Sequence, residues 1–287
     1  MMKRKYIQIT ICFLFTSLAH SQFKIRQSFD SGETKAEPAE FSYTKPNDGK
    51  ESYLVDLALG YDFNNSDTKS YTLFAEYHRN TLIDKEQNSF QTGFSYELFT
   101  NATFSLDATR KNSHRSIFNV TAKYNYNDID TLHSAQLVAD FTKFYNTHSW
   151  LGKIIPHNNI TLCKEFAFQY SPSISLENEY VINAPIETNK GFIMRGVGNL
   201  FVGLYPLANT LNSKLELFFN IHERYDLINS ISKEERNTKL IETGANFTIL
   251  SNRKKSAILG ASYNKGSNPL KGLKEQEYVI VALKVRL

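Results

Sequence analysis

From Tyr53 to the last residue the chain alternates apolar and polar side chains with a period of two, segment after segment. In the closing stretch Val279, Val281, Leu283, Val285 and Leu287 share one parity, while the other ends in Lys284 and Arg286. Earlier, Tyr53, Val55, Leu57, Leu59, Tyr61 and Phe63 oppose Asp56, Ala58, Gly60 and Asp62. Such a period belongs to strands with one apolar and one polar face. A soluble sheet ending on the last of them would expose an apolar edge, whereas closing the last strand on the first leaves none. Roughly thirteen such segments follow Glu51, and the stretch around Phe41 adds one more, each near the ten-odd residues of a tilted membrane strand. A two-sheet sandwich would need edge strands interrupted by charge and bulky aliphatics on both parities. The expected fold is therefore all-β: a single closed antiparallel transmembrane β-barrel of about 14 strands, with 12 also compatible.

The amino terminus reads differently. Met1-Met2-Lys3-Arg4-Lys5 is basic, Ile7 to Leu18 is apolar, and Ala19-His20-Ser21 offers small residues before Gln22. That is the layout of a cleaved signal peptide over residues 1–21. Residues 22–37, polar and turn-rich, are expected to form a periplasmic extension or a plug, with the barrel over 38–287. Of 33 bases and 29 acids, the leader holds three bases and no acid, so 30 against 29 remain and the charge does not point to nucleic acid. Only Cys163 survives cleavage, which excludes an intrachain disulfide. Mean hydropathy is −0.39, and past the leader no run reaches about eighteen apolar residues, so a membrane role would fall to alternating strands. The 16 Tyr and 21 Phe suit aromatic girdles near strand ends.

The terminal stretch from Glu277 to Leu287 resembles the C-terminal insertion signal of Gram-negative outer-membrane β-barrel proteins, departing from it only in Leu287, where an aromatic is usual. The resemblance implies a porin-like protein of the outer membrane, exported through its cleaved leader and surrounded by outer-membrane lipid. It also implies handling by the barrel assembly machinery through the last strand, with partner membrane proteins also allowed. Both chain ends would be periplasmic. Short links at Asn64–Lys69, Thr100-Asn101, Asn127–Thr131, Ser171-Pro172, Tyr205–Thr210 and Ser251–Lys254 would then be periplasmic turns. Longer links at Asn80–Asn88, Asn146–Asn159, Asn183–Lys190, Asp226–Asn237 and Asn264–Glu275 would be outer loops, with the short link near Lys111–Arg115 a misfit.

The polar parity supplies candidate lumen-lining residues: Asp56, Glu76, Glu97, Asp107, Lys123, Asp140, Glu165, Glu177, Glu179, Arg195, Glu216, Arg224 and Glu242. Acids outnumber bases on that parity, so a water-filled pore would favour cations; a narrow barrel would instead pair these charges across its interior. Trp150, Leu151, Ile154 and Ile155 are apolar residues in an expected outer loop. They could form a constriction, dock a partner or pack on the barrel's own rim. His133-Ser134 and His148-Ser149 put adjacent residues on opposite strand faces, so no nucleophile set forms. No cofactor motif, paired-cysteine metal motif or basic-aromatic groove occurs. Glu177 and Glu179, at i, i+2 on one face, could meet a divalent ion but read better as solvated wall. The expected function is a porin-like channel or transporter for small polar or cationic solutes. The alternative is a non-conducting structural or accessory subunit of an outer-membrane complex; a barrel lipid hydrolase lacks a catalytic constellation here.

Overall fold

A computed structural model describes residues 23–30, 37–44, 51–66, 68–81, 86–100, 113–146, 160–231, 236–251 and 255–286. Among these residues the regular elements are fourteen strands and two 3-10 turns, Glu187–Asn189 and Pro269–Lys271. The strands are β1 Phe23–Arg26, β2 Ala39–Thr44, β3 Ser52–Asn65, β4 Lys69–Asn80, β5 Gln87–Thr100, β6 Ser113–Asn127, β7 Leu132–Asn146, β8 Ile160–Cys163, β9 Phe166–Asn183, β10 Gly191–Pro206, β11 Leu215–Asn229, β12 Asn237–Ser251, β13 Ser256–Asn268 and β14 Leu273–Arg286. Twelve of them close into an antiparallel barrel, and β1 and β8 are additional. β14 closes on β2 through Leu283 with Phe41 and Val285 with Ala39, and Ser42 Oγ donates to Val281 O at 2.7 Å across that seam.

The barrel is polar inside and apolar outside. Along β4 the side chains of Ser70, Thr72, Phe74, Glu76, His78 and Asn80 are buried in the interior, while Leu73 and Tyr77 are exposed on the outer surface. The same division holds on β14, where Val279, Val281 and Leu283 are exposed and Ile280 and Ala282 are buried. Aromatic rings on the outer face collect toward both strand ends. Tyr43, Tyr53, Tyr77, Phe90, Tyr180 and Tyr225 lie toward one end; Phe63, Tyr71, Phe94, Tyr96, Phe118 and Phe141 lie toward the other, where Tyr71 and Tyr96 stand 4.9 Å apart.

The twelve strands of the closed wall match the smaller of the two expected counts, while three of the expected links differ. Ser171-Pro172 is no turn: β9 runs unbroken through it, with Pro172 opposite Leu200 of β10. A proline is tolerated there because the pairing of β7 with β9 stops at Phe141 and Ile174, so no partner on that side needs the missing N–H. The segment Phe104–Ala108, read as a strand, lies outside the described residues, as do residues 1–21 and Leu287. Because β6 pairs directly with β5, the Asn127–Thr131 link lies at the barrel end opposite the terminus of β14. The link after Asn146 leaves the wall at the barrel end where β14 terminates, opposite to the end expected for it; Trp150, Leu151, Ile154 and Ile155 in it are outside the described residues.

The first wall position is shared by two short strands. β1 lies along the later part of β3, pairing Phe23 with Tyr61 and Arg26 with Ala58. β2 lies along its earlier part, pairing Glu40 with Asp56 and Thr44 with Ser52. Between them the chain leaves the wall after Arg26 and turns into the barrel. Gln27 N donates to Glu37 O at 2.8 Å and closes the neck of that excursion.

Candidate functional site

Within the lumen the excursion is held against β3 to β6. Phe29 is fully buried, stacks on Phe74 with ring centroids 5.0 Å apart, and forms an apolar cluster with Phe74 and Ala58. Room for its ring exists because Ala58 and Gly60 are small: a Cβ on Gly60 would stand 2.1 Å from Phe29 Cζ. The Arg26 guanidinium caps the ring at 3.6 Å from its centroid. The backbone is satisfied by the wall. Phe29 N donates to Glu76 Oε1 at 2.6 Å, Thr121 Oγ1 donates to Phe29 O at 2.8 Å, and Asn119 Nδ2 donates to Asp30 O at 3.3 Å. Lys123 Nζ then pairs with Asp30 Oδ1 at 2.5 Å.

A second intrusion crosses from the other side. The turn after β13, Pro269–Lys271, reaches β5, where Gln91 Nε2 donates to Leu270 O at 2.5 Å and Ser89 Oγ to Lys271 O at 2.8 Å. Leu270 is buried by this contact. Lys271 Nζ meets Asp56 Oδ2 at 3.3 Å; Asp56 also contacts His78 Nδ1, and His78 Nε2 lies 3.2 Å from Glu76 Oε2. One chain of polar contacts thus links the turn, the β3–β4 wall and the inserted segment. Burial works against the Lys271 charge, but Asp56, Glu37, Asp30 and Glu76 around it hold its pKa above the ordinary lysine value.

On the opposite wall the charges are also paired. Arg195 Nη1 meets Glu179 Oε2 at 3.0 Å and its Nε meets Asp226 Oδ1 at 3.2 Å, all three side chains at 7% exposure or less. Arg224 Nε meets Glu177 Oε1 at 3.1 Å, so the two glutamates are committed to arginines rather than solvated wall. Between this wall and the inserted segment a cavity of about 410 Å³ remains, reached by Glu37, Asn199, Glu216, His222, Glu242 and Lys284. Polar groups line much of it, interrupted by Phe201, Phe218 and Leu240. Such a mixed pocket can hold a small polar solute.

Of the residues anticipated on the inner wall, Asp56, Glu76, Glu97, Lys123, Asp140, Glu177, Glu179, Arg195, Glu216, Arg224 and Glu242 all lie on inward-facing strand positions. Asp107 is outside the described residues. Glu165 is not on the wall: β9 begins one residue later, and Glu165 sits in the turn after β8, accepting the Thr210 N–H at 3.1 Å through its carboxylate and the Ala208 N–H at 3.1 Å through its backbone carbonyl. The acid excess also narrows, because Lys271 and Lys24, from outside the counted strand positions, pair with Asp56 and Asp62. Missed by the strand inventory were Phe29 and Asp30. Their signal was the adjacent pair of small inward residues, Ala58 and Gly60, facing an inward aromatic, Phe74. Comparison of the chain with protein-family models gives no match, and neither does comparison with curated protein sequences.

Proposed function

We propose that the protein is an outer-membrane β-barrel, closed at rest by its own N-terminal segment, that passes small polar solutes when that segment shifts. Membrane residence is supported by the reversal of polarity, since an apolar exterior with charged residues inside suits lipid without and water within. Main strands of twelve residues or more are long enough to span, and the outer aromatic rings fall where two interfacial girdles would lie. The observation that carries the transport reading is the mixed cavity of about 410 Å³ left beside the inserted segment. The paired lumen charges favour a second reading, a non-conducting accessory subunit whose interior is merely filled.

Planar-bilayer recording separates the two. The intact chain is expected to give rare, small steps, and deletion of residues 28–36 to give sustained conductance. A deletion variant that assembles and still conducts nothing sinks the transport reading and leaves the subunit. Lipid contact has its own test. Val281→Arg places a charge on the outer face near the middle of the closing strand, at a cost on the order of 2–4 kcal/mol at the membrane midplane. The variant should lose the heat-modifiable band of an assembled barrel, whereas Lys284→Arg, on the inner face, should keep it.

A further inference from the structure

Three side chains with metal-ligating atoms converge in the cavity. Glu37 stands at the neck of the inserted segment, His222 is on β11 and Glu242 on β12, and one donor atom of each lies within 4.8 Å of the other two. Two carboxylates at that separation repel unless a cation or proton lies between them. The lysines facing the same cavity make their closest pairs with other carboxylates, Lys284 with Glu40 at 3.6 Å and Lys271 with Asp56 at 3.3 Å, and attract Glu37 only from farther off.

A second observation points to a ligand. Asn220 is 3% exposed, and its Nδ2 lies 2.9 Å from His222 Nε2 and 3.0 Å from Glu242 Oε2. With Asn220 Nδ2 as the donor, the ring proton sits on Nδ1, and a metal ion would take the Nε2 lone pair in place of that amide hydrogen. The same amide orients two of the three groups, as outer-sphere partners of metal sites do. Its Oδ1 is buried with no hydrogen-bond partner among the described residues. A buried orphan acceptor beside a ligand cluster is what a metal-bound water would satisfy.

We propose that Glu37, His222 and Glu242 form a site for a divalent transition-metal ion of the zinc type, with Asn220 as positioning residue. One imidazole and two carboxylates suit such ions, whose bonds of about 2.0–2.2 Å require the donors to draw together by rotation of the two long Glu side chains. Because Glu37 belongs to the inserted segment and the other two to the wall, a bound ion staples the segment to β11 and β12, across the lumen from the contacts of Phe29. The site does not depend on whether the barrel conducts.

The test is zinc titration of the untagged chain, folded in detergent, by calorimetry. One ion per chain is expected, with at least tenfold weaker binding in Glu37→Gln and in His222→Ala. Glu37 lies outside the strands and is exposed, so its variant keeps the barrel whatever happens to His222→Ala. Zinc should also raise the unfolding temperature of the intact chain and leave that of Glu37→Gln unmoved. Absence of stoichiometric binding, or binding undiminished in Glu37→Gln, overturns the site.

Discussion

Gly60→Val is expected to open the barrel without unfolding it. A Cβ at this position meets Phe29 Cζ at 2.1 Å, Phe29 Cε1 at 2.7 Å and Thr72 Cγ2 at 2.9 Å. The Phe29 ring has nowhere to retreat within its niche, since Phe74 stacks on it and the Arg26 guanidinium covers it. The ring must leave, and losing a buried phenylalanine from a packed site costs about 3–5 kcal/mol. At about 1.4 kcal/mol per factor of ten, that shifts the balance between inserted and released segment roughly a hundredfold or more. Valine itself suits a strand, so the barrel should assemble with its usual heat-modifiable band. Conductance in planar bilayers should rise steeply. Gly198→Val is the matched control, because nothing lies within 4 Å of a Cβ there; its conductance should equal that of the unaltered chain.

Arg195→Ala is expected to be the most destabilising single change on the β9–β11 wall. It leaves Glu179 and Asp226 buried without their shared cation, and breaking such a pair costs about 3–5 kcal/mol. The remaining partners help only in part: Gln136 Nε2 donates to Glu179 Oε1 at 3.1 Å and Asn229 Nδ2 to Asp226 Oδ2 at 2.8 Å. Urea titration in detergent should show the loss as an earlier midpoint. Lys284→Ala, whose pair with Glu40 is longer at 3.6 Å and less fully buried, should cost less than Arg195→Ala. The triple change Arg195→Met, Glu179→Gln, Asp226→Asn removes the charges together and should recover most of the stability.

The wall was legible because alternation is a local property. Tyr53 through Phe63 and Val279 through Val285 carry their orientation in their own period. The lumen was less legible, because what fills it comes from segments without a period. Nothing in Gln27–Asp30 announces that Phe29 enters the barrel; the hint lies far away, in Ala58 and Gly60 on the inward face of β3. Pro172 misled for a related reason. Proline is excluded from a ladder only where its N–H is needed, and that depends on where the β7–β9 pairing happens to stop. The same holds for charge: Lys271 neutralises Asp56 from a turn 215 residues away, a distance no window on the sequence spans.

The inserted segment can be probed directly by thiol labelling. Ser28→Cys, in a chain whose own Cys12 and Cys163 are replaced by serine, puts a thiol where Ser28 Oγ now reaches Glu76 at 3.2 Å inside the barrel. A maleimide carrying a polyethylene-glycol chain too large to enter the barrel should leave this thiol unmodified in the folded protein. The reagent should label it once Gly60→Val is added or the protein is unfolded. Labelling of the folded Ser28→Cys protein as fast as the unfolded one would contradict a barrel closed by its own N-terminal segment.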